Sequence, residues 1–288
     1  MMRETVEFKS LDGTPLAAFL YTPDSGGGPF PAIVLSHGFG AVKEMALDRY
    51  ADVFCAAGFA CLVYDHRNTG SSGGTPRGEI DPWQQISDMR DAITYVGSRA
   101  EVDTDRIGLW GTSFSGGHSL VVAATDRRVK CVVSVVPTIS GHQNTIRALT
   151  TDGYAAFVRD VNEERAVRQR GEELRMIPIS KEGDESYEWS KMAGVGTTYV
   201  NACTLLSRAF RDAYEPGSYI AAISPTPLLL ALTTDDTKCL TDLQLEAYSR
   251  AHEPKQLEML PGGHYDPYTT QLAPIASASR DWFGTYLR

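Results

Sequence analysis

The chain has 288 residues, enough for one large α/β domain or for a core that carries an inserted segment. With 42% hydrophobic and 22% charged residues, it has the composition of a soluble globular protein. The formal net charge is −9 and lysine and arginine form no dense run, which excludes a nucleic-acid-binding or anionic-membrane surface.

The cysteines predict the compartment. There are five, at scattered positions and without a Cys-x-x-Cys pair. Cys55, Cys61 and Cys131 lie in apolar runs, so we expect them to be buried thiols in a reducing compartment. The first residues alternate between polar and apolar types, which fits neither a signal peptide nor a membrane span. These observations predict a cytoplasmic protein that binds neither membrane nor nucleic acid.

The chain begins with a hairpin pattern and continues with alternating strands and helices. Residues 5–9 and 16–21 are expected to be two antiparallel strands at a sheet edge, joined by the Asp12-Gly13 turn. The later pattern predicts a mostly parallel sheet with helices on both faces. Strands are expected at residues 32–36, 59–64, 107–110, 130–136, 225–233 and 256–260, and helices at residues 44–57, 82–96, 120–124, 241–251 and 270–287.

The alternation stops between residues 138 and 224. This segment has charged helical stretches, at residues 154–169 and 199–214, and no clear strand. A loop of that length without secondary structure would be unusual. We therefore predict a helical lid, or cap, at residues 138–224, inserted into an α/β core formed by residues 1–137 and 225–288.

A glycine-rich turn, GTSFSGG at residues 111–117, separates an expected strand from an apolar helix. A strand, a sharp turn with a central serine and a helix together form the pattern of a nucleophile elbow, here with Ser113 as the nucleophile. The residues two positions away must be small. Gly111 meets this requirement, and Ser115 also meets it, although it replaces the usual glycine. The alternative is that Ser113 only caps the helix.

A nucleophilic serine needs a base, and the base needs an orienting acid. In this arrangement all three lie at the carboxyl ends of strands, in the chain order Ser, Asp or Glu, His. The two strands expected after the insertion end in TTDDT and PGGHY. They provide Asp235 or Asp236 as the acid and His264 as the base. The usual distance beyond the strand end favours Asp236, and Asp235 stays open.

The oxyanion that forms during acyl transfer needs two backbone N–H donors. Phe114, directly after Ser113 at a helix N-terminus, is expected to supply one. Phe39, in the SHGFG run at residues 36–40, is placed to supply the other, or else forms a wall of the pocket. No spacing of His, Cys and Asp matches a zinc site, and no phosphate loop ends in Gly-Lys-Ser/Thr. We therefore expect no metal and no cofactor.

The motifs that carry a family resemblance are SHGFG at 36–40, DHRNTGSSG at 65–73, GTSFSGGH at 111–118, YEPGSYI at 214–220, SPTPLL at 224–229 and GGHYDPY at 262–268. Together they resemble the α/β-hydrolase superfamily, in the branch of dienelactone hydrolases and Xaa-Pro peptidase-like acyl hydrolases that includes fungal polyketide transferases. The resemblance covers nearly all of the chain and implies an α/β-hydrolase fold. It also implies that Ser115 is an ordinary variant and that the acid position falls on Asp236.

The resemblance and the motifs predict a serine hydrolase of the esterase or lactonase type (EC 3.1). It would cleave an ester, lactone or related acyl bond of a small, partly apolar molecule through an acyl-enzyme on Ser113. One alternative is an acyltransferase that uses the same acyl-enzyme. A second is a C–N or peptide-bond hydrolase, in which Glu44 or a lid glutamate would bind the substrate amine. The third is a binding protein with a silent site.

The lid is expected to set substrate selectivity because it would cover the elbow. Its apolar side chains suggest a medium-sized, partly apolar acyl or lactone substrate as the partner, and a homodimer stays an open alternative. The alternative for each lid residue is simple packing on the core. The candidate substrate-contacting residues are Trp189, Met192, Tyr199, Phe210 and Tyr214.

Overall fold

The structure is a computed structural model and describes residues 1–24 and 27–287. In this part of the chain, eight strands form one mixed sheet and two short strands form a second sheet. The strands are β1 (Met2–Lys9), β2 (Pro15–Thr22), β3 (Phe30–Ser36), β4 (Ala60–Tyr64), β5 (Val102–Thr112), β6 (Val129–Val135), β7 (Met176–Ile177), β8 (Cys203–Thr204), β9 (Leu228–Thr233) and β10 (Lys255–Leu260).

The large sheet has the order β1-β2-β4-β3-β5-β6-β9-β10. β1 pairs antiparallel with β2, and β2 antiparallel with β4, while β4, β3, β5, β6, β9 and β10 pair parallel with their neighbours in that order. The predicted edge hairpin and the predicted mostly parallel sheet are confirmed. Parallel strands place their carboxyl ends at one edge, so the residues that follow β3, β5, β9 and β10 meet there.

Helices cover both faces of the sheet, as predicted. On one face α2 (Pro82–Gly97) and α3 (Phe114–Thr125) pack on the strands through residues such as Ile86, Met89 and Val121. On the other face α1 (Leu47–Ala56) and α9 (Leu272–Tyr286) bury side chains such as Phe54 and Phe283. The α-helices are α1 (Leu47–Ala56), α2 (Pro82–Gly97), α3 (Phe114–Thr125), α4 (Gly141–Ala148), α5 (Thr151–Gln169), α6 (Glu185–Ala193), α7 (Leu205–Asp212), α8 (Thr241–Arg250) and α9 (Leu272–Tyr286), and short 3-10 helices span Pro216–Ala222 and Asp266–Tyr268.

The segment between β6 and β9 contains α4 to α7 and the small sheet. The expectation that it has no strand is wrong, because β7 and β8 pair antiparallel, with Met176 opposite Thr204. The helix expected at residues 199–214 is limited to α7. A strand of two residues has no alternation that a sequence could reveal, so only tertiary contacts create this pair. The division of the chain into core and lid stays a prediction.

Each of the five cysteines is a buried free thiol, which confirms the expectation for Cys55, Cys61 and Cys131. Cys203 and Cys239, which lie outside long apolar runs, are buried as well. Within residues 1–24 and 27–287, the helices are too short or too polar to cross a lipid bilayer.

Candidate active site

Ser113 occupies the sharp turn between β5 and α3. Its backbone has φ 56° and ψ −117°, a conformation that side-chain-bearing residues rarely adopt. The turn is held on both sides, since Ser113 N–H donates to the carbonyl of Val135 at 2.9 Å and its carbonyl accepts from Thr138 N–H at 2.9 Å. A Cβ at Gly111 would lie 2.2 Å from the carbonyl oxygen of Ser115, so the turn requires glycine there.

Three side chains from distant parts of the chain form a continuous row of hydrogen bonds. Nε2 of His264 lies 2.9 Å from Oγ of Ser113. On the opposite side of the ring, Nδ1 of His264 lies 2.8 Å from Oδ2 of Asp236. All three residues are buried. This is the arrangement in which an imidazole takes the proton of a serine hydroxyl while a carboxylate orients the ring.

The carboxylate of Asp236 is held by its own loop. Its Oδ1 accepts hydrogen bonds from the N–H groups of Lys238 at 2.8 Å and Cys239 at 2.9 Å, and Gln244 Nε2 donates to Oδ2 at 3.2 Å. Burial alone would raise the pKa of Asp236, but the charge and hydrogen bond of His264 and these N–H groups lower it below its ordinary value. The neighbouring Asp235 is exposed and bonds to Thr234, so the structure brings Asp236 to His264 and leaves Asp235 outside.

The loop after β3 passes close to the serine. A Cβ at Gly38 would lie 3.0 Å from Cβ of Ser113, so the Gly38–Phe39 backbone lies against Ser113. The rings of Phe39 and Phe114 meet edge to face, with centroids 5.2 Å apart. Phe114 is the first residue of α3, where a backbone N–H has no partner within its own helix. The backbones of Phe39 and Phe114 therefore flank Ser113 from two directions.

A buried ion pair fixes this loop to the end of β4. Lys43 donates to Asp65 twice, from its N–H to Oδ1 at 2.7 Å and from Nζ to Oδ2 at 2.7 Å. Burial would lower the pKa of Lys43, but its hydrogen bonds to Asp65 and Glu44 raise it. Gly70 allows this arrangement, since a Cβ there would lie 2.3 Å from Asp65 Oδ2.

Three buried histidines lie behind the elbow. His37 Nδ1 bonds to the carbonyl of Gly38 at 3.0 Å, and His66 Nε2 lies 2.8 Å from Oγ of Ser115. His118 lies between Tyr214 OH at 2.8 Å and the side chain of Gln85 at 3.0 Å. Burial lowers the pKa of all three, that of His118 to about 3, so they are neutral and hold the surrounding loops.

The five apolar candidates of the insertion occupy different surroundings. Trp189 stacks on Tyr265, next to His264, with ring centroids 5.1 Å apart. Tyr199 is half-buried against the loop after β3, and Phe210 is partly exposed on α7. Met192 has 61% of its surface exposed. Tyr214 is fully buried against Phe114 and bonds to His118, as a packing residue does.

Sequence reasoning missed Cys239, which lies in the site. Its Sγ is 3.9 Å from Oγ of Ser113 and 3.4 Å from Oγ1 of Thr138. Ligand atoms of Asp236, Cys239 and His264 all lie within 4.8 Å of one another, a set that is able to hold a metal ion. Burial raises the pKa of Cys239 to about 12, so it is a neutral thiol. Its position three residues after Asp236, within the same turn, is the signal that points to it.

The parallel sheet, the elbow after β5 and the acid and histidine after β9 and β10 define an α/β-hydrolase fold. The model of the X-Pro dipeptidyl-peptidase (S15) family matches residues 12–266. The chain belongs to this family of serine hydrolases.

The relatives are named as hydrolases and as transferases. The chain is 31% identical over 294 residues to the polyketide transferase grgF of a Penicillium species, a match covering 99% of this chain and 97% of that protein. The chain is 33% identical over 272 residues to the thiohydrolase aneE of Aspergillus aculeatus, a match covering 88% of this chain and 83% of that protein. The crystal structure of the α/β hydrolase GrgF from a Penicillium species matches with a TM-score of 0.87 and 29% identity, over 100% of this chain and 99% of that one. The structure of DcsB with its substrate analogue matches with a TM-score of 0.88 and 28% identity, over 99% of each chain. The protein is thus a hydrolase or transferase of this family.

Proposed function

We propose that the protein is a serine acyl hydrolase that cleaves an ester, lactone or thioester bond through an acyl-enzyme on Ser113. The observation that carries the proposal is the row of hydrogen bonds from Asp236 through His264 to Ser113. A serine that only capped α3 would accept a backbone N–H with its side chain, and Ser113 forms no such cap bond.

In the proposed mechanism, Nε2 of His264 takes the hydroxyl proton as Oγ of Ser113 attacks the substrate carbonyl carbon. The carbonyl oxygen becomes an oxyanion that accepts hydrogen bonds from the N–H groups of Phe39 and Phe114. Asp236 accepts Nδ1–H of His264 and stabilises the imidazolium. The intermediate then collapses, the leaving group departs with the proton from His264, and a water molecule hydrolyses the acyl-enzyme by the same steps.

The names of the relatives add thioesters to the proposed substrate class. One is named a thiohydrolase, and a thioester reacts through the same tetrahedral intermediate as an oxygen ester. The apolar surroundings of Ser113, formed by Phe39, Phe114 and the thiol of Cys239, favour an acyl chain with an apolar portion. We therefore include acyl thioesters with the esters and lactones of small, partly apolar molecules.

Residues 138–224 act as a lid in this proposal. Trp189 stacks beside the His264 loop and Tyr199 packs near the loop after β3, so these two are the substrate-contacting residues that we retain from the insertion. We assign Tyr214 to packing, since it is buried behind Phe114.

The first prediction concerns the nucleophile. Ser113→Ala is expected to lower kcat on a panel of esters, lactones and thioesters by roughly 10⁴-fold or more, with the fold intact by circular dichroism. A fluorophosphonate is expected to label the wild type on Ser113, with the site read by mass spectrometry, and to leave Ser113→Ala unlabelled. Near-normal turnover of every substrate by Ser113→Ala would exclude the mechanism, and a wild type that resists labelling would indicate a silent site.

Acyl transfer is the second candidate, because relatives over 88% and 99% of this chain are named an acyltransferase and a polyketide transferase. Ser113 is buried, so the acyl-enzyme would be shielded from bulk water until an alcohol or amine arrives. Product analysis with a competing alcohol separates the two functions. Transfer product that exceeds the share expected from the alcohol concentration would favour a transferase, and acid product alone would favour a hydrolase.

A further inference from the structure

Two arginines of α7 lie over the ring of Phe39. The guanidinium carbon of Arg211 is 5.4 Å from the centre of this ring, and that of Arg208 is 5.7 Å from it. Phe39 also packs against Phe114, the residue that follows the nucleophile. Two positive charges are therefore placed one aromatic ring away from the proposed oxyanion donors.

The two arginines are held differently. Nη2 of Arg208 donates to the carbonyls of Pro178 at 3.1 Å and Ile179 at 2.8 Å, which fixes its side chain at the edge of the insertion. Nε of Arg211 is buried and lacks a hydrogen-bond partner among the residues that the structure describes. Arg211 as a whole nevertheless keeps part of its surface accessible.

Another arginine of the chain shows how a buried guanidinium group is usually paired with a carboxylate. Arg67 donates from Nε to Asp88 at 2.7 Å and from Nη2 to the same carboxylate at 2.5 Å. Leaving a buried guanidinium donor without an acceptor costs free energy, so an unpaired one is normally satisfied by water or by a ligand. Arg211 has the donors of such a pair but lacks the carboxylate within the described residues.

The two guanidinium groups of α7 disfavour each other's charge. Burial and, after it, the positive charge of Arg208 lower the pKa of Arg211 to about 10, while the carboxylate of Asp212 acts in the opposite direction. An anion bound between the two guanidinium groups would relieve the repulsion between them.

We propose that Arg208 and Arg211 form an anion subsite that selects acyl substrates carrying a carboxylate or phosphate group close to the reacting carbonyl. A guanidinium is suited to this task because its planar set of N–H groups matches the oxygens of a carboxylate or phosphate. The inference rests on the proposed function, since it defines the substrate of the same Ser113 site. At ~1.5 Å per bond, an acyl chain of a few carbons spans the width of the Phe39 ring.

The test compares substrates of equal length that differ in charge. One is the p-nitrophenyl monoester of glutaric acid, which is anionic, and the other is its neutral methyl ester. Wild type is expected to prefer the anionic substrate, and Arg211→Met and Arg208→Met to lower the ratio of the two kcat/KM values by about 30-fold. Arg211→Lys keeps a charge and is expected to retain part of the preference. The exposed Arg147 of α4, changed to Met, is the matched control that keeps the wild-type ratio.

A second arm identifies the source of the anion. The acetyl thioester of 3-mercaptopropionic acid, whose leaving group carries a carboxylate a few bonds from the carbonyl, is compared with its neutral methyl ester. If Arg211→Met lowers the preference for the anionic substrate only in this thioester pair, the anion lies in the leaving group. If it lowers that preference only in the glutarate pair, the anion lies in the acyl chain. Equal ratios for wild type and both arginine variants in both pairs would overturn the proposal.

Two measurements on the wild type do not depend on the folding of a variant. Free glutarate is expected to inhibit cleavage of the neutral ester competitively, and to slow fluorophosphonate labelling of Ser113, while neutral glutaramide does neither. Equal effects of glutarate and glutaramide would contradict the anion subsite. A failure of the proposed function would give a different result. The neutral ester would then stay uncleaved, and the fluorophosphonate would leave Ser113 unlabelled even when no glutarate is present.

Discussion

Ser113 combines its proposed role as the nucleophile with a strained backbone. At φ 56° and ψ −117°, its side chain is forced out of the turn toward His264, and only glycine adopts such angles without cost. The strain persists because hydrogen bonds to Val135 and from Thr138 fix the turn from both sides. The surrounding structure thus holds the hydroxyl within hydrogen-bond distance of Nε2 of His264.

The strain predicts an unusual order of stabilities at this residue. Ser113→Gly is expected to exceed Ser113→Ala in the free energy of unfolding by about 1 kcal/mol, because glycine relieves the backbone although it loses more entropy on folding. Both variants lack the hydroxyl, so the comparison isolates the backbone. Urea titration of the two variants measures the difference.

Ser119, inside α3, is the matched control. There the order is expected to reverse, with Ala more stable than Gly by about 1 kcal/mol, because glycine is unfavourable within a helix. If Gly and Ala show the same order at both positions, backbone strain at Ser113 is not the cause.

At the scale of elements, the loop after β3 depends on β4 for its position. Lys43 and Asp65 are both buried and pair at 2.7 Å, and this pair holds the loop that carries Phe39. A buried carboxylate that loses its cation is left with an uncompensated charge, which costs more than the pair itself contributes. The geometry around the proposed oxyanion donor is therefore tied to a neighbouring strand end.

Lys43→Met is accordingly expected to lower the free energy of unfolding by about 3 kcal/mol. It is also expected to lower kcat more than it raises KM, because the Phe39 N–H would lose its fixed position in the transition state. Denaturant unfolding and steady-state kinetics measure the two effects. The exposed Lys191 of α6, changed to Met, serves as the control, and equal unfolding midpoints for the two variants would contradict the assigned role.

At the scale of the whole molecule, the centre of the fold contains histidines that stay neutral. His37, His66 and His118 have pKa values lowered by burial, and their rings pack against one another behind the elbow. Below about pH 6.5 an unfolded histidine binds a proton that the folded protein does not accept. Histidine protonation therefore takes nothing from the free energy of unfolding above this pH. The free energy of unfolding then decreases as the pH falls toward about 3, the pKa of His118.

Acid lability follows as a measurable property of the fold. Between pH 7.5 and pH 5.0, His118 alone is expected to lower the free energy of unfolding by about 2 kcal/mol. The loss builds up over about 1.5 pH units, from the ordinary histidine pKa of about 6.5 down to pH 5.0, at about 1.4 kcal/mol per pH unit. His118→Gln is expected to reduce the pH 7.5 to 5.0 difference by that amount, measured by urea unfolding at both values.

The control for acid lability is His252→Gln, an exposed position, which is expected to keep the wild-type difference. A His118→Gln variant with the full wild-type pH dependence would show that another group causes the acid lability.

The sequence by itself determined the fold and the chain order of the site. Glycines around Ser113, apolar runs that end in loops, and the positions of His264 and the acid pair are local signals, and parallel strands bring such loop ends to one edge. The hairpin, the alternation of strands and helices and the buried cysteines follow from the same local patterns. The catalytic roles drawn from them stay predictions, supported by the geometry.

Tertiary structure decided what local patterns do not encode. Asp235 and Asp236 are adjacent and identical in type, and only the path of the loop after β9 brings Asp236 to His264. The pairing of β7 with β8 joins residues far apart in sequence, and so does the position of Cys239 beside Ser113. In the sequence, nothing distinguishes Arg211 from other polar helix residues, and only the packing of α7 places its guanidinium group over the ring of Phe39. These features depend on distances between separate segments, which the folded chain alone fixes.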